Sequence, residues 1–466
     1  MAAFDHLAEA IGTGRELSRS EELAAFVERA GWEDLSPAAR EALKIRVLDS
    51  LGCAFGALSG EPVRMIRRDI EEFGGNPLCT LIGGGKTSPD RAAFCNGTLV
   101  RYLDFNDSYL APGETCHPSD NLGAVLAASE YAQASGRQFL TALAVAYQVQ
   151  CRLCDAAPVR ARGFDHTTQG AFASAAGAAK ALALPMAQIT NALGISGTAN
   201  NALRVTRTGE LSHWKGLAYP DTAFNGLRAA FLAMRGVTGP RAVFEGNKGW
   251  CQTIAGDFEL DWSREDLERV LRTNLKKFNA EIHSQSAIEG MIELMRERGF
   301  SGADIDRIRI DIFDVARLII GGGVEGDKTI VRTKEEADHS LPYLVAVAAL
   351  DGRVMPEQYA PYRIGRKDVQ SLLRKVNVVS NPEYSKRFPD EHCCKITVTL
   401  KNGKFFTKEK ADYEGFHIRP MSWEQVIGKF EGLAENAIES SRRREIVDAV
   451  KRLDGITVKD LVTLLR

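Results

Sequence analysis

The sequence predicts a mainly α protein, with a large all-helical domain and a smaller α+β unit. Three observations carry this. Up to about residue 270, apolar residues recur at helical spacing with almost no alternation. Between about 270 and 408, Ile308, Ile310 and Ile312, then Val376 and Val378, then Ile396, Val398 and Leu400 alternate with polar residues, the period of a half-buried strand. From about 409 the helical pattern returns, and the pattern alone leaves open whether that tail rejoins the first domain.

The elements follow in order. Residues 20–30 read as a helix, and Ser36-Pro37 opens another, with Ser36 as N-cap and Pro37 at the first helical position. Leu43, Val47, Leu51 and Phe55 give that helix one apolar face. Gly83 to Thr87 has the tail of a phosphate-binding loop but lacks the glycine expected at position 80, which is Thr80, so a glycine turn is expected. Residues 122–134 and 139–156 read as helices, as do the Ala- and Gly-rich runs 169–184 and 186–200, whose small side chains permit close helix approach. Residues 225–234 continue the pattern, Gly239-Pro240 breaks it, and Ser263 with Asp266 marks a further helix start. In the α+β unit, 287–297 and 335–350 read as helices and Lys401-Asn402-Gly403-Lys404 as a hairpin turn, since Asn-Gly suits two positive φ angles. Ser422 with Gln425 forms a capping box that opens the last helical stretch.

At 466 residues the chain exceeds what one core usually covers. Its 59 basic and 61 acidic residues, net charge −2, form no long block of one sign, so neither a nucleic-acid nor a membrane-surface footprint is present. No apolar run is long enough for a membrane span, and the first residues, MAAFDHLAEAIGTGRELS, lack the basic and apolar regions of a secretory signal. Nine scattered cysteines suit reduced thiols, so a cytoplasmic location is expected.

Chemistry-bearing residues concentrate in four polar stretches: 101–123, 163–169, 204–225 and 276–285. The first, RYLDFNDSYLAPGETCHPSDNLG, is too charged for a core and resembles a functional loop on a rigid scaffold. His117 lies there beside carboxylates, where an imidazole suits proton transfer; a solvated loop role is the alternative. His166 precedes an Ala-rich helix whose N-terminal amides favour an anion, or simply caps it. Arg204, Arg207, His213 and Lys215 gather cations in a segment rich in Gly, Thr and aromatics, which favours a pocket wall. Lys276, Lys277, Glu281 and His283 join the two units, a common place for a site, although a basic hinge with no role in chemistry is the simpler account. His339 reads as structural, with Asp338 as its partner or cap. No metal or nicotinamide site is expected: Cys151 and Cys154 have C-x-x-C spacing but no second pair, and no dinucleotide fingerprint occurs.

The stretches YLDFNDSY with CHPSDN, GFDHTTQGAFASAAGAAKAL, ALRVTRTGELSHWKGLAYPDTAFNG, LKKFNAEIHSQSAIEG and KEEADHSLPYLVAVAALDG closely resemble the MmgE/PrpD family. That family includes 2-methylcitrate dehydratase, cis-aconitate decarboxylase and an iminodisuccinate epimerase. The resemblance implies a helical domain built from 1–270 and 409–466, an α+β lid at 271–408, a homodimer, and cofactor-free chemistry on di- or tricarboxylates. It carries Asp104, Ser108, His117, His166, Lys215 and Lys276 over as site residues. Matching the family's next histidine to His283 requires a longer spacing, and Lys277 could replace Lys276. Asn106, Arg204 and Arg207 join Ser108 and Lys277 as expected substrate contacts. TGELSHWKG and NAEIHSQSAIEG resemble the dehydratase-type members. What they imply is loss of water from 2-methylcitrate, with His117 or His166 as base and the other as acid, Lys215 and Lys276 holding carboxylates, and Asp104 orienting a histidine. Decarboxylation or epimerisation on the same site, or carboxylate binding without turnover, are the alternatives.

Overall fold

The chain is described here by a computed structural model, which covers residues 16–322 and 325–466; most of the N-terminal stretch read for a leader lies outside these residues. Helix α1 (Arg19–Arg29) starts at a Ser18–Glu21 capping box, and α2 (Pro37–Gly56) at Ser36, whose hydroxyl accepts from the Ala39 amide. The 43/47/51/55 face of α2 is buried throughout. Then come α3 (Glu61–Phe73) and a short hairpin of β1 (Cys79–Thr80) and β2 (Lys86–Thr87). Gly83, Gly84 and Gly85 turn between the two strands at positive φ, so the glycine-rich motif is a turn.

Helix α4 (Pro89–Tyr102) leads into the polar stretch, which folds as a second hairpin, β3 (Tyr109–Ala111) and β4 (Glu114–Cys116). Helices α5 (Leu122–Tyr131), α6 (Gly136–Ala156), α7 (Thr167–Ala181), α8 (Met186–Ala199) and α9 (Trp214–Met234) complete a bundle in which α7 packs against α6, α8 and α9. Helix α9 starts well before the expected residue 225, running through Pro220. The helix expected at Ser263 is absent. Asp261, not Ser263, caps the local turn, and Glu265 is drawn across to Arg152 at 2.7 Å, leaving two short 3₁₀ turns.

In the α+β unit, β5 (Ile305–Ile312) pairs in parallel with β6 (Val376–Ser380) and antiparallel with β7 (Cys394–Leu400). β7 in turn pairs with β8 (Phe405–Lys410) across the Asn402-Gly403 turn, giving the order β6-β5-β7-β8. Helices α10 (Gln285–Arg298) and α11 (Leu341–Asp351) pack on the sheet. The helix expected over 335–350 is broken: a turn at Lys334–Ala337 ends before Ser340, which caps α11 with Pro342 in its first turn, so Asp338 and His339 sit at the break. Helices α12 (Trp423–Ala434), α13 (Ser440–Lys451) and α14 (Val458–Leu464) close the chain.

The described residues hold two main apolar cores. One gathers α1 to α9 together with residues 421–465, and the other gathers 278–400. Phe430 of α12 lies over Gly52 of α2, where an added Cβ would meet its Cα at 3.1 Å. The protein is thus mainly helical with one mixed sheet. Among the described residues no helix is long and apolar enough to cross a membrane.

Gly170 of α7 faces the fully buried Tyr219 ring of α9, and a Cβ there would sit 2.4 Å from it. Tyr219 cannot swing away freely, because its hydroxyl donates to Asn121 Oδ1 (2.9 Å) or Gln150 Oε1 (3.0 Å). Gly170→Ala is therefore expected to cost about 1–3 kcal/mol, read as a lower urea midpoint; an unchanged midpoint would show that α7 and α9 part there without cost.

Candidate active site

Where the two cores meet, one carboxylate collects cations from distant parts of the chain. Asp104 takes a left-handed backbone (φ 55°), an unfavourable conformation for a residue with a Cβ. It is held there by Arg101 (2.5 Å to Oδ1) and by Lys276, which donates to its Oδ1 at 2.8 Å and to its carbonyl at 2.6 Å. Lys215 lies 3.4 Å from Oδ2 and binds Asp338 at 2.6 Å, while Asp338 also accepts from Lys334 at 2.8 Å. Burial alone would raise the Asp104 pKa. Arg101, Lys276 and Lys215 outweigh it and hold the carboxyl well below its usual range, so it is ionised.

Beside this network is a small cavity of about 30 Å³ whose wall carries Arg101, Arg160, Arg204 and Arg207 together with four histidines. His117 Nδ1 is 2.8 Å from the Asp107 carbonyl and 3.0 Å from Ser108 Oγ. A carbonyl can only accept, so Nδ1 carries the hydrogen and Nε2 keeps its lone pair. His166 packs edge-on to His117 with ring centroids 5.4 Å apart and stacks on Tyr219 at 6.1 Å. Both of its nitrogens lack a partner among the described residues. So do both nitrogens of His283, which sits among Phe313, Phe388 and His392. Burial, then nearby cations, pushes His117 well below the ordinary imidazole value, and burial does the same to His166 and His283. His339 is pushed down to about 3 by burial and then by the Lys215 ammonium, against the opposing pull of Asp338. All four rings are neutral at neutral pH, the state that accepts a proton.

Two further carboxyls complete the wall and its surroundings. Glu281 reaches the cavity, and burial raises it to about 7. Asp165, behind His166 at 3.8 Å, is ionised because Arg207 binds it at 2.6 Å. Arg204 pairs with Glu325 of the second unit at 2.8 Å and so bridges the two halves over the cavity.

The sequence-derived candidates thus divide by position. Asp104, His117, His166, His283, Arg204 and Arg207 line the cavity. Lys215 and Lys276 stand one contact behind it, through Asp104. Ser108 and Asn106, expected to touch substrate, do not line it: Ser108 supports His117, and Asn106 is fully buried, donating to Ser119 and Asp120. Lys277 points away, drawn to Glu414 at 2.7 Å and Glu289 at 3.2 Å, and so does not replace Lys276. Asp104 was expected to orient a catalytic histidine; for His117 the group in that position is the Asp107 carbonyl, while Asp104 anchors lysines and lies 3.6 Å from His339 Nδ1. The sequence reading missed Arg101 and Arg160, named Glu281 only as part of the junction and gave it no role, and took His339 as structural although it lines the cavity. The Ser340–Pro342 helix start was the available signal for His339.

Asp104, Asp338 and His339 bring donor atoms together as a metal site would. The Lys215 ammonium stands within 3.4 Å, 2.6 Å and 2.9 Å of them, so a cation already fills that triangle. Cys116, Cys151 and Cys154 form a small buried cluster of free thiols behind β4.

Two family models match: the MmgE/PrpD N-terminal domain over residues 21–263 and the MmgE/PrpD C-terminal domain over 278–454. The chain is similar to the 2-methylcitrate dehydratase of Escherichia coli (strain K12), 29% identical over 80% of this chain and 81% of that protein. The enzyme of that name from Salmonella typhimurium is 27% identical, over 93% and 94%. The cis-aconitate decarboxylase of Mus musculus is also 27% identical, over 91% and 88%. With the two models spanning most of its length, the chain belongs to the MmgE/PrpD family.

Proposed function

We propose that the protein is a hydro-lyase that removes water from 2-methylcitrate, or a citrate-like tricarboxylate, without a cofactor. The observation that carries this is a cavity wall combining four arginines with neutral imidazoles. Arginines match carboxylates in bidentate geometry and stay charged. A carbon acid beside a carboxylate is weak, so its proton leaves only if the developing enolate charge is stabilised; fixed cations in a dry site supply that. His117, with its Nδ1–H committed to a carbonyl, presents Nε2 as the base, and His166 is the second candidate. Lys215 and Lys276 hold Asp104 in place and add positive potential behind the site. The similarity to 2-methylcitrate dehydratases supports the outcome of the reaction, and cis-aconitate decarboxylase relatives make decarboxylation the second reading.

A cavity of about 30 Å³ is far below the several hundred Å³ typical of ligand sites, so entry requires the α+β unit to open as a lid, breaking the Arg204–Glu325 pair. We also infer a cytoplasmic homodimer, which light scattering on a sizing column would check.

Incubation with 2-methylcitrate, citrate, cis-aconitate and iminodisuccinate should yield a conjugated double bond with loss of water from the first or second; carbon dioxide from cis-aconitate would instead select the decarboxylase reading. His117→Ala should lower kcat by about 10²–10⁴-fold, and near-full turnover would remove it from the mechanism. Because burial lowers His117 and His166, the base stays unprotonated well below pH 6.5. The acid limb of kcat/KM should therefore fall below that value, with activity lost as pH drops through it. A limb at or above 6.5 would exclude both rings.

A further inference from the structure

Elimination needs a proton donor as well as a base, and the histidine that the family likeness offers for it, whichever of His117 and His166 is not the base, carries no acidic proton to give, because both rings are neutral. The four imidazoles on the wall are neutral, and the arginines do not release protons at working pH. Asp104 is ionised and locked between ammonium and guanidinium groups. One wall group remains.

Glu281 stands between the Lys276–Asp104 network and His283, with 6% of its surface exposed. Its position is fixed at both ends. The backbone amide donates to the Asp338 carbonyl at 3.1 Å, and side-chain Oε2 accepts the His283 amide at 2.8 Å. Oε1 has no hydrogen bond among the described residues and lies 3.9 Å from His283 Nε2. One carboxyl oxygen is thus tied down and the other is free to carry a proton at the cavity. The charged and titratable groups facing it are Lys276, Asp104, Lys215, His283, Lys328 and Tyr413. Burial outweighs the lysines among them and raises the carboxyl to about 7, so a substantial fraction is protonated at neutral pH.

Resting on the dehydration reading, we propose that Glu281 is the catalytic acid, delivering its proton from the free carboxyl oxygen to the departing hydroxyl. The C–H pair becomes the new double bond while the imidazole takes the proton. The C–O pair leaves with the oxygen, which takes the Glu281 proton and departs as water. The imidazolium and the Glu281 carboxylate then return to their starting states by net transfer of one proton.

Glu281→Gln keeps an oxygen to accept the His283 amide and removes the acidic proton. It should lower kcat by about 10²–10⁴-fold, leave tricarboxylate affinity within about threefold, and abolish the wild-type loss of activity above about pH 7. A fall in kcat of less than about tenfold, or affinity lost in step with turnover, overturns the assignment. A second readout needs no turnover. Wild type at about pH 5 should show the infrared carbonyl band of a protonated carboxylic acid, gone at about pH 9 and missing from Glu281→Gln. Asp120, also raised to about 7, contributes a band of its own, so the signal is read as wild type minus variant. Absence of the difference band overturns the assignment whatever the substrate. Carbon dioxide in place of water from wild type would overturn the dehydration reading instead, and the infrared result would still decide whether Glu281 holds a proton.

Discussion

The Asp104 carboxylate is the tie on which the site depends. It is buried, so its charge is tolerable only with opposite charge in contact. The cations come from α4 (Arg101), the start of α9 (Lys215) and the junction between the two cores (Lys276). Removing one partner leaves a buried charge exposed to its own desolvation cost, so these distant segments are held to a common point. The left-handed backbone at Asp104 is sustained by the same contacts, since Lys276 binds its carbonyl as well as its carboxylate. Lys429 of α12 extends the tie to the chain's end: it binds Asp49 at 2.7 Å and the carbonyls of Phe105 and Lys276.

The chemistry follows from how charge is distributed around that tie. The lysines are sealed against carboxylates behind the wall; the arginines also pair with carboxylates, Asp104, Glu114, Glu325 and Asp165, but they line the cavity, and the Nε of Arg101, Arg160 and Arg204 has no hydrogen-bond partner among the described residues. Burial and surrounding positive charge keep the imidazoles neutral, and the same burial raises Glu281. One environment thereby keeps the histidines fully in the neutral form that can accept a proton and leaves on Glu281 a proton that an ordinary glutamate would have lost.

The helical class was legible because amphipathic spacing is a local property: the buried 43/47/51/55 face of α2 is written in its own residues. The sheet was legible for the same reason, through the alternation of β5 and β7. The β3–β4 hairpin was not, since strands of three residues among polar neighbours carry no usable period. In the site, the histidines in polar loops stood out by type and setting. Arg101 and Arg160 did not, because a cation near a helix end looks the same whether it faces solvent or a cavity, and only tertiary convergence separates the cases. Lys276 and Lys277 show the limit most plainly. Neighbouring side chains of a non-helical segment diverge, so one is sealed against Asp104 and the other reaches Glu414 at the surface.

The central claim is that substrate carboxylates lie among the arginines of this inner cavity, with the reacting carbon facing His117. A crystal structure with a slowly reacting tricarboxylate bound to Glu281→Gln tests it most directly. The account predicts carboxylates paired with Arg101, Arg160, Arg204 or Arg207, a carbon within reach of His117 Nε2, and Glu325 displaced from Arg204. A ligand seated instead in the larger cleft lined by Tyr102, His213 and Lys334, with the inner cavity closed and the Arg204–Glu325 pair intact, would contradict it.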